Sequence, residues 1–361
     1  MKAIFLDGFK KEYLQHTPYL QKLSKTCIHG ELEVPFGYTS IIASFVTGCH
    51  PNKHGIIDVF EKREGKKLFS IPNKLLVNGW RYLTNNLYLY SPLQKNSRYF
   101  KPSMKKIWMQ KNCLALPTLF DHLEDHGKNF QAVDWPFTFN NRQGNIFFKQ
   151  DGKTVMKHAQ HLTADFQLIH FPDLDTLGHI YGPESKEMKE KLKEIDAYCE
   201  QLADKDTVYF SDHGMDLITQ QYDLEKELNE TGLTYGKDYL AFIASTYAQF
   251  WFYTPEARNK ITALLESLDE GTIIDQNTYK LPKKQHAIFL AKQGTVFSPS
   301  YFTKKIDYKA MHGWDPKKQL SFYMITRPGK EKKAHMVDLL PTILDMMQLP
   351  TMQTDGKSLL K

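Results

Sequence analysis

Cysteine is scarce in this chain of 361 residues: there are four, Cys27, Cys49, Cys113 and Cys199, far apart and without paired metal-finger spacing. That pattern excludes a disulfide scaffold and a cysteine-ligated finger, and it predicts reduced, mostly buried thiols in a cytoplasmic protein. No apolar run approaches the roughly 20 residues that span a bilayer, so no membrane span is expected. The opening MKAIFLDGFKK has only four apolar residues between Lys2 and Asp7, too few for a signal peptide. Repeats and low-complexity tracts are absent. So is a P-loop, because DGKT (151–154) would need a glycine where Phe147 stands.

What is there suits a globular protein. The chain is 41% hydrophobic and 24% charged, and its length fits one large α/β domain with insertions. A formal net charge of +6 suits an anionic small-molecule substrate but is too mild to indicate a nucleic acid polymer. The oligomeric state stays open.

Short apolar runs alternate with helical patterns, which predicts α/β architecture with a doubly wound, mostly parallel sheet. The segments 3–6, 131–135, 166–171, 207–210 and 322–326 read as buried strands. In 185–206, Met188, Leu192, Ile195, Cys199 and Leu202 recur at spacings of three and four, an amphipathic helix with Ser185 as its N-cap. Residues 335–349 read as another helix. Residues 61–112, rich in Tyr, Asn, Lys and Pro, follow no clean period and read as an inserted cap. Residues 235–305 carry strand-like pieces at 249–253 and 286–291 around a helix at 255–268, which reads as a smaller α+β insertion. The core then consists of 1–60, 113–234 and 306–361.

Aspartates follow three of the predicted strands: Asp7, then Asp173 and Asp175, then Asp212. In doubly wound sheets ligands bind at the carboxyl ends of the strands, so these carboxylates are placed to converge. One aspartate after a strand is usually a turn or cap residue. Here, however, histidines accompany them: His179 four residues after Asp175 in the loop DLDTLGHIYGP, His213 in SDHGM and His312 in AMHGWDP. Three carboxylates and three imidazoles suit two divalent ions, Zn²⁺ before Mn²⁺. The stretch GYTSIIASFV adds a hydroxyl at a predicted helix N-terminus, Thr39 with Ser40 as the fallback. There anions bind favourably, and a metal would make the hydroxyl a competent nucleophile.

Asp7-Gly8, GYTSIIASFVTGCHPNKHGI, DTLGHIYGP, SDHGM and MHGW together resemble the alkaline phosphatase superfamily, most closely its type I phosphodiesterase and nucleotide pyrophosphatase branch. VDLLPTIL followed by DGKSLL is similar to that superfamily's C-terminal ending. The resemblance implies Asp175, His179 and His312 on one zinc, and Asp7, Asp212 and His213 on the other. Thr39 would contact the second ion as nucleophile, and Gly178 and Gly182 would shape the loop around the first. It further implies cleavage of a phosphodiester or pyrophosphate bond through a phospho-threonine that is then hydrolysed.

Two departures from the family pattern stand out. Assigning Thr39 requires a one-residue gap before Thr47-Gly48, and Val59 stands where the family has an asparagine that helps hold the phosphoryl oxygen. The phosphomutase or phosphotransferase, phosphomonoesterase and phosphonate hydrolase chemistries of the same superfamily are the alternatives, while the Cys-x-Pro-x-Arg signature of sulfatases is missing. In 95–111, Lys105 and Lys106 sit among aromatics, and are expected to face an anionic substrate.

Overall fold

The computed structural model describes residues 1–64, 99–103, 114–134 and 151–361. The expected cap therefore lies mostly outside the described residues, Lys105 and Lys106 included. The described core is built on a seven-stranded sheet. Its strands are β1 (Lys2–Leu6), β2 (Cys27–Glu33), β3 (Phe130–Val133), β4 (Phe166–Phe171), β5 (Thr207–Phe210), β10 (Ser321–Pro328) and β11 (Ala334–His335). They run in the order β11-β2-β10-β5-β1-β4-β3. β1 is parallel to both β4 and β5, and β3 is parallel to β4, whereas β10 is antiparallel to its neighbours β2 and β5. The sheet is thus mostly parallel, as its near-continuous apolar strands require when both faces are covered.

Alternation along β1 assigns the two faces. Ala3 and Phe5 point into a core closed by α1 (Thr39–Thr47), α2 (Leu119–Asp125) and α7 (Leu339–Met346). Ile4 and Leu6 point into the opposite core, closed by α3 (Gly152–Ala159), α4 (Asp173–Tyr181) and α5 (Lys186–Leu202). In α5 the five residues with helical spacing are all buried, and the Ser185 hydroxyl accepts from the Met188 N–H at 3.1 Å, the expected cap. Asp196 of the same helix caps another element, accepting from the Tyr19 and Leu20 N–H groups at 2.8 and 3.0 Å. In the DGKT segment Asp151 accepts from the Thr154 N–H at 2.7 Å and starts α3, an N-cap and not a phosphate cradle.

A second, antiparallel sheet holds β6 (Tyr239–Ile243), β7 (Tyr247–Phe252), β8 (Gly271–Ile273) and β9 (Ala287–Ala291), in the order β6-β7-β9-β8. One face buries Ala257, Ile261 and Leu265 of α6 (Pro255–Ser267). The other, through Phe242, Tyr247 and Trp251, packs on Phe36 and Ile57, which flank the turn into α1. The second sheet thus supports the segment that carries Thr39.

Sequence and structure part at three places. Residues 173–181 are a helix rather than a loop. Strand β3 ends at Val133, because Asp134 turns the chain with φ 59°. The helix expected from 335 begins as a 3-10 turn and becomes regular at Leu339.

Ile195 is fully buried in α5, away from the strand ends that carry the aspartates. Ile195→Ala is expected to remove about 2–5 kcal/mol of stability, while Lys193→Ala on the exposed face stays within about 0.5 kcal/mol. Denaturant midpoints check both.

Candidate metal centre

Strand order creates the site. β5, β1 and β4 are adjacent and parallel, so the residues just past their carboxyl ends, Asp212, Asp7 and the start of α4, come together. Gly8 makes this possible: with φ 75° it turns the chain, and a Cβ there would lie 3.2 Å from the backbone of Asp175. The Asp7 and Asp212 turns are tied together. The Gly8 N–H donates to Asp212 Oδ1 at 3.4 Å and the Phe9 N–H to Ser211 Oγ at 2.9 Å.

Because α4 is a helix, Asp175 and His179 lie one turn apart on one face, with His179 Nε2 3.2 Å from Asp175 Oδ1. Gly178 faces Met215, whose side chain would sit 3.0 Å from an added Cβ, and Gly182 ends the helix with φ 94°. His312 comes from the segment that follows the second sheet in the chain. Ala310 and Met311 pair antiparallel with Leu217 and Asp216, immediately beyond His213. The Lys309 N–H donates to His179 O at 2.8 Å, locking this segment against α4.

All six predicted ligands are brought together, in two groups. One ligand atom from each of Asp175, His179 and His312 lies within 4.8 Å of the others, and the same holds for Asp7, Asp212 and His213. His213 joins the groups: its Nε2 is 3.4 Å from Asp7 Oδ1, 3.3 Å from Asp212 Oδ2 and 3.7 Å from Asp175 Oδ1. Its ring stacks on His312 at 3.5 Å and 4°.

The donor set fits cations. A carbonyl only accepts, so His179 donates Nδ1–H to Ala310 O at 2.9 Å and His213 donates Nδ1–H to Gly214 O at 3.0 Å. Each thereby commits Nδ1–H to the backbone and turns Nε2 toward the carboxylates, the nitrogen a metal ion would take in place of a proton. Asp7 Oδ1, Asp175 Oδ1 and His312 Nδ1 are buried and make no hydrogen bond. Orphaned atoms of this kind are costly without a cation.

Electrostatics agree. Burial, then the charges of Asp212 and Asp175, push the Asp7 carboxyl up to about 7. Burial, then Asp175, push Asp212 to about 7 as well. Burial also opposes a charge on Asp175, but the adjacent imidazole of His179, followed by His312 and His213, outweighs it and holds that carboxyl below the usual range. Burial and neighbouring His213 keep His312 well below the ordinary histidine value.

Thr39 is buried and opens α1, directly after Tyr38, whose ring packs edge-on against His312 at 5.4 Å. Tyr38 OH donates to Thr246 Oγ1 at 2.8 Å, which in turn donates to Gly313 O at 2.7 Å, joining this turn to the His312 loop. Ser40, the other hydroxyl considered, donates to Phe36 O at 2.6 Å. Val59 lies beside the buried Asp58, whose Oδ1 accepts the Val59 N–H at 2.7 Å. Two residues that no motif singles out also reach the centre: His170 contacts Asp7, and Asp134 contacts His170. The one signal was a histidine inside the apolar run FQLIHF.

The chain as a whole is similar to known proteins. A family profile described as type I phosphodiesterase / nucleotide pyrophosphatase matches residues 3–316, and the chain belongs to that family. It is 26% identical over 238 residues to ectonucleotide pyrophosphatase/phosphodiesterase family member 1 from Homo sapiens, covering 58% of this chain and 23% of that protein. It is 25% identical over 239 residues to bis(5'-adenosyl)-triphosphatase ENPP4 from Bos taurus, covering 59% and 46%. The matched stretch thus spans less than half the length of these curated relatives. Among solved structures, murine ectonucleotide pyrophosphatase / phosphodiesterase 5, inactive and in complex with AMP, superposes with a TM-score of 0.70 at 17% identity. That match covers 99% of this chain and 97% of the other, and it shows a shared fold.

A sign follows from the two raised carboxyls. Folded Asp7 and Asp212 retain protons up to about pH 7 that an unfolded chain releases near 3.8. Their contribution to the metal-free fold is therefore lost as pH rises from about 4 to about 7. Added Zn²⁺ is expected to raise the melting temperature of chelator-treated protein more at pH 7.5 than at pH 5. Thermal scans with and without Zn²⁺ check this; an equal or absent shift counts against cation binding here.

Proposed function

We propose that this chain hydrolyses a phosphodiester or pyrophosphate bond in an anionic phosphorylated small molecule, nucleotides foremost. Asp175, His179 and His312 would hold one divalent ion, and Asp7, Asp212 and His213 another. Zn²⁺ is favoured by a nitrogen- and oxygen-only donor set and Mn²⁺ is next in line. The observation that carries this reading is the pair of three-residue groups, each within 4.8 Å, in a chain of this family. When bound, two such ions supply Lewis acidity to the attacking and leaving oxygens of an in-line displacement.

The chain's own residues do the rest. Thr39 Oγ1 attacks phosphorus, the bond to the leaving oxygen breaks and that oxygen leaves with a proton, and a phospho-threonine results that keeps the substrate's other ester group; water then displaces Thr39 Oγ1 and restores the hydroxyl. The tie between Ser40 and Phe36 O favours Thr39 over Ser40. The backbone bonds to His179 and His213 hold the two imidazoles in place before substrate arrives. No helix among the described residues is long and apolar enough to cross a membrane. Cys27, Cys49 and Cys199 are free, buried thiols, which supports a reducing compartment such as the cytoplasm.

Thr39→Ala is expected to lower turnover of bis-p-nitrophenyl phosphate by about 10³-fold or more, and Ser40→Ala by far less. The wild type should prefer this diester to p-nitrophenyl phosphate, and protein acid-quenched during turnover of the diester should carry one p-nitrophenyl phosphoryl group by intact mass, lost in Thr39→Ala. An isomerised monoester product, or undiminished turnover by Thr39→Ala, refutes the reading.

A further inference from the structure

His170 lies on β4 opposite Phe5 of β1, and the two rings stack at 4.4 Å and 16°. The stack fixes the imidazole plane. Its Nδ1 is 2.9 Å from the carbonyl of Asp134 and 3.2 Å from that residue's Oδ2. Its Nε2 is 3.0 Å from Asp7 Oδ2. Asp134 is buried and takes φ 59°, a left-handed conformation that aims its carboxylate back at the ring. A buried carboxylate thus backs an imidazole that is itself mostly covered, and it holds the ring from behind by side chain and carbonyl together.

The two oxygens of Asp7 therefore have different fates. Oδ2 is taken by His170, while Oδ1 is buried without a hydrogen bond, 3.4 Å from His213 Nε2 and among the ligand atoms. We infer that His170, clamped by Asp134, is a positioning residue that dedicates Asp7 Oδ1 to the cation shared with Asp212 and His213. Without it the Asp7 carboxylate is free to rotate about its last bond, and the site loses its preset geometry. Outer partners of metal ligands typically change affinity 10–100-fold when removed. The inference rests on the two-ion reading above but concerns only one of the two ions.

The test is equilibrium titration of chelator-stripped protein with Zn²⁺ against a chromophoric chelator. His312→Ala isolates the group of Asp7, Asp212 and His213, and Asp212→Ala isolates the other. Adding His170→Ala to His312→Ala is expected to weaken the remaining ion by about 10–100-fold. Adding it to Asp212→Ala should change the remaining ion less than about twofold. Where His170→Ala does not fold, Asp134→Asn keeps the imidazole and removes the charge behind it. The same comparison then applies, with a loss of about 10-fold expected. Unchanged affinity in both backgrounds, or an equal loss in both, makes His170 a merely structural histidine and overturns the inference alone. A wild-type chain that takes up no zinc overturns the two-ion reading and this inference with it.

Discussion

Three carboxylates held close together in a mostly dry place are the constraint on which this molecule depends. Asp7, Asp175 and Asp212 repel one another, and burial raises the two that lack an adjacent imidazole as effective as His179. Such a cluster persists only where surrounding structure over-determines it. Here the surroundings are a parallel sheet with cores on both faces, whose central strands present their carboxyl ends side by side. The stability of those cores holds the aspartates together, and the backbone bonds to His179 and His213 set the ring nitrogens facing them.

Much of this could be read from residues in order. Asp7, Asp175 and Asp212 follow apolar runs, and parallel strands bring such positions to one edge. His179, His213 and His312 stood out by spacing or by a following glycine, and the structure brings them to the same place. The helical nature of 173–181 was obscured by Gly178 and Gly182, which read as loop residues. Gly178 in fact makes room for Met215, a demand of tertiary packing invisible in local sequence. Ser40 is already the fallback to Thr39 in the sequence, and the tie of its hydroxyl to Phe36 O is a contact that sequence order alone does not reveal.

His170 and Asp134 were out of reach for another reason. A strand buried on both faces reads as an apolar run, and one histidine within it gives no hint of what it meets. Its partners lie 163 and 36 positions away in sequence, and only the order β1-β4-β3 makes them neighbours. Asp134 likewise looked like part of a strand, whereas its backbone leaves the strand there. Chemistry that depends on pairing between non-consecutive strands stays hidden until the sheet order is known.

The return path to His312 introduces an asymmetry between the two groups. Asp7, Asp212 and His213 all sit directly on ends of the central sheet. His312 belongs to the other trio, and the chain reaches it only after building the four-stranded sheet and rejoining through two-residue pairing with Asp216 and Leu217. Opening of that junction would take His312 from one trio and from the other only the ring that stacks on His213. One half of the centre is thus anchored by the central sheet alone, and the other also by a two-residue seam.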